Sequence, residues 1–152
     1  MNSLKLGFII YTANQGFLQM AKSPHTAPEW RLQAAQVTAL RRAKKAGWPI
    51  RIAGDMNAGR RTLRETGIAA ATGINPGELD LRVYLPAGRL VMFENKTGKG
   101  RLSAEQKEAH AEFRALGHDI VVIQTDDCDE AAALVMAAVS ERLGTPIPHL
   151  DF

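Results

Sequence analysis

Residues 76–96 read PGELDLRVYLPAGRLVMFENK and contain two apolar runs that are typical of neighbouring strands. Asp80 opens the first run, and Glu94 and Lys96 close the second. Because side chains alternate across a strand, Glu94 and Lys96 should point to one face and Asn95 to the other. A hairpin between the runs brings Asp80 beside Glu94. Two carboxylates and an ammonium are then expected in one small volume, which suits a hard divalent cation and a water to be activated.

Length and composition predict one soluble globular domain that spans residues 1–152. The chain has 152 residues, of which 45% are hydrophobic and 23% are charged, an ordinary balance for a protein with a buried core. No apolar run approaches the roughly 20 residues of a membrane-spanning helix, and we expect neither a signal peptide nor a membrane partner. The single cysteine, Cys128, excludes an internal disulfide and a cysteine metal cluster. A reducing, cytoplasmic setting fits this usage.

Basic residues are concentrated in two parts of the chain, although the net charge is only +3. Nine lie between residues 31 and 64, where Asp55 is the single acid, and others surround Lys96, whereas acids gather at residues 126–130. This separation indicates a polyanionic partner, because neutralised phosphates release counterions. For the cluster Arg41–Lys45 alone, the solvated face of a helix is an equally good explanation.

Periodicity and capping signals predict the other elements. We expect strands at 4–11, 49–53 and 120–124, and helices at 27–46, near 61–72, at 103–117 and at 129–143. The stretches Thr26-Ala27-Pro28-Glu29 and Ser103-Ala104-Glu105-Gln106 have the pattern of capping boxes.

Polar residues fall on two helix faces that are expected to contact the sheet. Glu29 and Gln33 share a stripe with apolar positions further along their helix, and Gln106 shares a face with Ala109, Phe113 and Leu116. A polar side chain on such a stripe needs a partner. Glu29 and Gln106 therefore either complete their capping boxes or line a polar site, and the two roles are compatible.

The order of these blocks resembles the VRR-NUC (virus-type replication-repair nuclease) branch of the PD-(D/E)XK nuclease superfamily. The resemblance spans residues 29–138 and is carried by Glu29-x-x-x-Gln33, Asn57-x-Gly59-Arg60, Asn75–Leu81, Phe93–Lys96, Gly100–Gln106 and Gly117–Val122. Residues 1–25 stand outside it as an N-terminal extension. It implies an α/β fold of the α+β type with a restriction-endonuclease-like core, in which a mixed central sheet of αβββαβ order is flanked by helices. Leu79 replaces the family proline before the aspartate, and we expect the chemistry to survive because that proline supplies no ligand.

The resemblance implies a hydrolase that cuts DNA phosphodiester bonds with Mg²⁺ or Mn²⁺. The implied metal ligands are Asp80, Glu94, the backbone carbonyl of Asn95, and Glu29, and the implied catalytic set adds Lys96 and Gln106. We expect the nucleic-acid backbone to be held by Arg60, Arg61, Lys99 and Arg101. Neither a GxGxxG loop nor a Walker A motif is present in the sequence, so no nucleotide cofactor is expected.

The substrate and assembly are less sharply indicated. Small VRR-NUC domains resemble Holliday-junction resolvases, which favours branched DNA, a two-fold homodimer and a role in phage or prophage replication, recombination or repair. The alternative is a non-catalytic DNA-binding or packaging partner in which Asp80, Glu94 and Lys96 form a structural ion pair. The histidines lack metal-ligand spacing and are expected to be structural or surface residues: His25, His110, His118 and His149.

Overall fold

The computed structural model describes residues 27–55 and 62–149. This part of the chain forms the helices α1 (Glu29–Lys45), α2 (Leu63–Ala71), α3 (Ala104–Ala115) and α4 (Cys128–Leu143), and the strands β1 (Arg51–Gly54), β2 (Leu81–Tyr84), β3 (Leu90–Lys96) and β4 (Asp119–Gln124). The predictions for the strand at 4–11, the cap at Thr26, His25, Arg60 and Arg61 lie outside the described residues.

The strands form one mixed sheet in the order β1-β2-β3-β4. The β1–β2 and β2–β3 pairs are antiparallel, and β3 pairs in parallel with β4, to which it is connected through α3. With α2 inserted between β1 and β2, the chain order is α1-β1-β2-β3-α3-β4, followed by α4. The predicted α+β class, with a mixed sheet of αβββαβ order flanked by helices, is therefore confirmed.

The predicted hairpin is formed by β2 and β3, with Leu81 opposite Phe93 and Tyr84 opposite Leu90. Continuing this register by one residue sets Asp80 alongside Glu94. Strand β3 has a neighbour on each side, and it is buried from residue 91 to residue 96. The polar end of β3 thus lies in the interior of the protein, where each polar group needs a partner.

Helices α1 and α3 lie on opposite faces of the sheet. Asn95 hydrogen-bonds to a residue of α1 and Glu94 to a residue of α3, and adjacent strand residues point to opposite faces. Helix α4 shares the α1 face. The hydrophobic core on that face includes Leu40, Ala43, Trp48, Val83, Val91, Phe93, Val121, Ile123, Val135 and Val139.

Two helix starts differ from the sequence predictions. Helix α1 begins at Glu29 rather than at residue 27, and its N-cap residue Pro28 makes no side-chain capping bond. The physical reason is that a proline disfavours helical backbone in the residue before it, so Ala27 is not a good first helical residue. Helix α2 begins with a Thr62–Glu65 capping box that was not predicted, whereas the box between Ser103 and Gln106 is confirmed.

None of the helices in the described ranges is long and apolar enough to cross a membrane.

Candidate active site

The two carboxylates singled out in the sequence meet where β2 begins and β3 ends. The backbone N–H of Asn95 donates to Oδ2 of Asp80 at 2.8 Å. This bond fixes the Asp80 carboxylate against β3 before the β2 ladder starts. Asp80 is partly buried, and Glu94 is fully buried next to it.

Glu94 is held by cationic and amide donors from two elements. Its side chain is only 1% exposed, and Lys96 Nζ lies 2.8 Å from Oε1. Gln106 Nε2, from α3, donates to the same oxygen. Glu94 and Lys96 do share one face of β3. Glu94 Oε2, in contrast, has no hydrogen-bond partner among residues 27–55 and 62–149.

Gln106 performs both of the roles considered for it. Its Oε1 accepts from the backbone N–H of Ser103 at 3.0 Å, which completes the capping box of α3, while its Nε2 donates to Glu94. An amide can do this because it carries an acceptor and a donor on the same carbon. The cap therefore fixes the direction from which the donor approaches Glu94.

The N-terminal turn of α1 closes another side of the site. Glu29 Oε1 lies 3.9 Å from Lys96 Nζ, and the Glu29 side chain is 46% exposed. Gln33 Nε2 donates to the backbone carbonyl of Asp80 at 2.8 Å. Gly54 makes room for this contact, since a Cβ there would lie 2.9 Å from the Gln33 amide nitrogen. Glu29 is the first residue of α1 rather than the third.

An amide pair supports β3 from the opposite face. Gln36 Nε2 donates to Asn95 Oδ1 at 2.7 Å, and Asn95 Nδ2 donates back to Gln36 Oε1 at 2.9 Å. Both residues are fully buried. This reciprocal pair was not predicted, although Gln36 lies on the α1 stripe of Glu29 and Gln33. It locks the strand segment that carries Glu94 and Lys96 onto α1.

The charges of the site leave Asp80 poorly compensated. Burial, followed by repulsion from the Glu94 carboxylate, raises the pKa of Asp80 from 3.8 to about 6, against the opposing effects of the Asn95 N–H and Lys96. A divalent cation between the two carboxylates would remove that repulsion. The oxygen donors, the unpartnered Glu94 Oε2 and the raised pKa of Asp80 all fit such an ion.

The described residues do not assemble a larger acidic cage. No group of three or more His, Cys, Asp or Glu residues in the described ranges is arranged to hold a metal ion. Glu29 contacts Lys96 and does not form a third arm with Asp80 and Glu94. A pair of carboxylates is nevertheless a common anchor for Mg²⁺, which keeps waters and phosphate oxygens in its remaining positions.

His110 is a site residue that the spacing of the histidines did not reveal. It lies one turn after Gln106 on α3, is 1% exposed, and places Nε2 3.9 Å from Glu94 Oε2. The signal that could have identified it is the i, i+4 relation to Gln106, which puts both side chains on one helix face. His110 was expected to be a structural or surface residue; it is buried, and its proximity to Glu94 was not predicted. The stripe expected to be buried ends at Leu116, which is 75% exposed.

Two of the predicted DNA-contacting cations lie on the loop between β3 and α3. Lys99 and Arg101 are exposed, and Gln124 Nε2 donates to the carbonyl of Gly98 at 2.7 Å. The loop starts after Lys96 and ends at the N-cap of α3, so both of its ends are anchored at Glu94. In contrast, Lys45 is 16 residues along α1 from Glu29, a distance of about 24 Å.

No protein-family model matches the chain, and no curated protein matches it. Among solved structures, a chain described as a "VRR_NUC domain" is similar to this one. The two are 19% identical, the match covers 66% of this chain and 94% of that chain, and the TM-score is 0.40. The description coincides with the family that the sequence motifs resemble.

Proposed function

We propose that this protein is a Mg²⁺- or Mn²⁺-dependent endonuclease that hydrolyses phosphodiester bonds in DNA. The observation that carries the proposal is the gathering of Asp80, Lys96 and Gln106 around the buried carboxylate of Glu94. Structural packing alone gives little reason to gather these groups, because burying charge is costly.

Each residue has a distinct task in the proposed reaction. Asp80 and Glu94, with the backbone carbonyl of Asn95, would hold the cation, and Glu29, which contacts Lys96, would reach it through water. The bound cation supplies Lewis acidity, which polarises the scissile phosphate and lowers the pKa of a bound water. Lys96 would orient the attacking water or stabilise the negative charge that builds on the phosphate oxygens. Gln106 positions the nucleophile or a phosphate oxygen. One water is added across the P–O bond, and the products are a phosphomonoester and a hydroxyl.

The proposed substrate is branched DNA, bound through its sugar–phosphate backbone. Lys99 and Arg101, together with Arg60 and Arg61, would neutralise phosphates without reading the sequence. A two-fold homodimer would present two such sites to a four-way junction. The proposed setting is replication, recombination or repair in a reducing cytoplasm, which fits a chain with one cysteine. The homodimer is excluded if light scattering at working concentration gives the monomer mass.

A non-catalytic DNA-binding protein is the second candidate. The 2.8 Å contact between Lys96 and buried Glu94 is the observation that favours it, since the same groups could serve as a structural ion pair. The two functions differ in what divalent cations do. An endonuclease needs them for cleavage, whereas a structural ion pair does not respond to them.

A cleavage panel separates the two candidates. Four-way junctions, flaps, duplexes and single strands are incubated with Mg²⁺, with Mn²⁺ and with chelator, and cleavage that requires the cation is expected. Lys96→Ala should abolish cleavage but leave DNA binding almost intact. Lys107→Ala, which removes an exposed lysine of α3, is the matched control and should cleave as the wild type does. A wild-type protein that binds DNA and leaves every substrate intact would establish the non-catalytic function.

A further inference from the structure

His110 and Glu94 form a buried pair whose facing atoms have no hydrogen-bond partners. Each side chain is 1% exposed, and Nε2 of His110 lies 3.9 Å from Oε2 of Glu94. Within residues 27–55 and 62–149, neither ring nitrogen of His110 has a hydrogen-bond partner. Oε2 of Glu94 has none in these ranges either. A buried polar atom without a partner destabilises the fold, so a group of them in one place calls for an explanation.

The position of His110 on α3 explains why these unpartnered atoms lie together. Gln106 and His110 are separated by one helical turn and therefore lie on the same face of α3. Gln106 donates a hydrogen bond to Oε1 of Glu94, and Nε2 of His110 lies near Oε2. A closure of about 1 Å would bring Nε2 and Oε2 within hydrogen-bond distance. One helix face would then hold both oxygens of the same carboxylate.

We infer that His110 is a positioning residue, which donates its Nε2–H to Glu94 Oε2 and sets the orientation of that carboxylate for a divalent cation. This inference rests on the proposed function. Carboxylates that bind metals are generally oriented by hydrogen bonds from residues behind them, and loss of such a bond lowers metal affinity about 10–100-fold. His110 does not itself touch the substrate.

The test compares two substitutions at position 110 by Mn²⁺ binding, measured with calorimetry on folded protein. His110→Phe keeps a ring of similar shape and removes the donor, so the Mn²⁺ Kd should rise about 10–100-fold. His110→Gln retains an amide N–H at a similar reach and should restore most of the affinity. His118→Gln is the matched control, since that ring contacts Phe113, and it should bind as the wild type does.

A purely structural histidine would behave differently. Both position-110 variants would then unfold at lower temperature, and the folded fraction would bind Mn²⁺ with the wild-type Kd, which would overturn the inference. If the wild type binds Mn²⁺ and cleaves DNA while His110→Phe binds equally well, only the role of His110 is lost. If the wild type neither binds Mn²⁺ nor cleaves DNA, the proposed function itself is wrong, and this inference falls with it.

A second measurement needs no variant. Imidazole ¹⁵N resonances of the wild type are followed during a Mg²⁺ titration. Ordering of Glu94 by the cation should shift the His110 Nε2 resonance with the saturation curve of Mg²⁺, and His118 should stay unchanged. A His110 resonance that does not move while Mg²⁺ saturates the protein would overturn the inference even where the variants fail to fold.

Discussion

Gln106 connects the folding of a helix to the chemistry of a carboxylate. Its acceptor oxygen completes the capping box with Ser103, and its donor nitrogen contacts Glu94. At the start of α2 the same type of capping box is completed by a carboxylate, that of Glu65, which accepts from the backbone N–H of Thr62. Glutamate is thus sufficient for capping. What the amide adds at position 106 is the donor, and this allows the two roles to be separated by substitution.

Gln106→Glu should preserve α3 and damage the site. The new carboxylate can still accept from the Ser103 N–H, but it has no donor for Glu94 and brings a like charge close to it. We expect helical circular dichroism to be retained and DNA cleavage to fall about 100-fold, the usual effect of losing a positioned donor. Ser103→Ala is the complementary variant. It should lose about 1 kcal/mol of stability and keep cleavage; equal cleavage by both variants would contradict the role given to Gln106.

The Asp80 carboxyl should make the metal-free protein less stable as the pH rises. Its pKa is 3.8 in the unfolded chain and about 6 in the folded one, owing to burial and to Glu94. Between these values the folded state binds more protons than the unfolded state, so the free energy of unfolding falls from pH 4 to pH 6 and stays low above that range. The loss is about 2 kcal/mol, after allowance for the part of the side chain that water reaches.

Asp80→Asn should remove that loss, because the amide oxygen can still accept from the Asn95 N–H and carries no charge. In urea titrations with chelator, the variant and the wild type should have similar stability near pH 4, and the variant should be more stable above pH 6. If the stabilities of the two proteins instead changed in parallel across this pH range, burial and Glu94 would not be raising the pKa of Asp80.

The predictable and unpredictable side chains of the site differ in what fixes their direction. Alternation along one strand was enough to place Glu94 and Lys96 together and Asn95 opposite. The partners of these residues come from helices, and their rotation about the helix axis depends on packing. Helix α3 carries few apolar residues and buries only His110 completely, so its sequence does not define a clear inward face. For this reason the cap of Gln106 could be predicted from local sequence, whereas the contacts of His110 with Glu94 and of Gln36 with Asn95 were not predicted.

The loop before β2 is an element that glycine makes possible. Gly77 has a φ of +86°, and a Cβ there would lie 2.7 Å from the backbone oxygen of Glu105 in the first turn of α3. Leu79, two residues later, is fully buried, so this position serves as an apolar anchor. The loop that carries Asp80 therefore packs directly against the first turn of α3, which carries Gln106.

Gly77→Ala should destabilise the protein and disturb the site. Gly73→Ala is the matched control, because Gly73 has a φ of +84° and a Cβ added there would meet no atom of the described residues within 4 Å. Both variants carry the strain of a left-handed alanine, about 1–2 kcal/mol, and only Gly77→Ala adds a backbone clash, about 1–3 kcal/mol more. Guanidinium unfolding measures the difference. Equal losses would mean that the loop does not rest on α3.

Element boundaries were predictable where a local signal decides them. The Ser103 box fixed the start of α3, and the Thr62-x-x-Glu65 pattern was available in the sequence for α2. The start of α1 was misplaced because two local signals compete there. A threonine three residues before a glutamate indicates a cap, and Pro28 between them restricts the backbone of Ala27. In the structure the proline restriction prevails.

The distribution of charge over the molecule distinguishes two basic surfaces. Lys99 and Arg101 lie on a loop anchored at both ends by contacts to Glu94, whereas Arg41 and Lys45 lie at the far end of α1. All four side chains are exposed. Composition alone could not rank the two surfaces, because both are basic. Only the fold shows that the first is joined to the carboxylates, whereas the second lies about 12–18 Å further along α1 than Gln33, the helix residue that contacts Asp80.

The salt dependence of DNA binding tests this ranking. Lys99→Gln/Arg101→Gln should reduce the slope of log K against log salt concentration by about 2, one for each lost phosphate contact. Arg41→Gln/Lys45→Gln removes the same charge from the far end of α1 and should leave the slope unchanged, as expected for a solvated helix face. Fluorescence anisotropy with a labelled four-way junction, in chelator to prevent cleavage, gives both slopes. The reverse pattern would place DNA on the C-terminal end of α1 instead of on the loop next to Glu94, and would contradict the ranking.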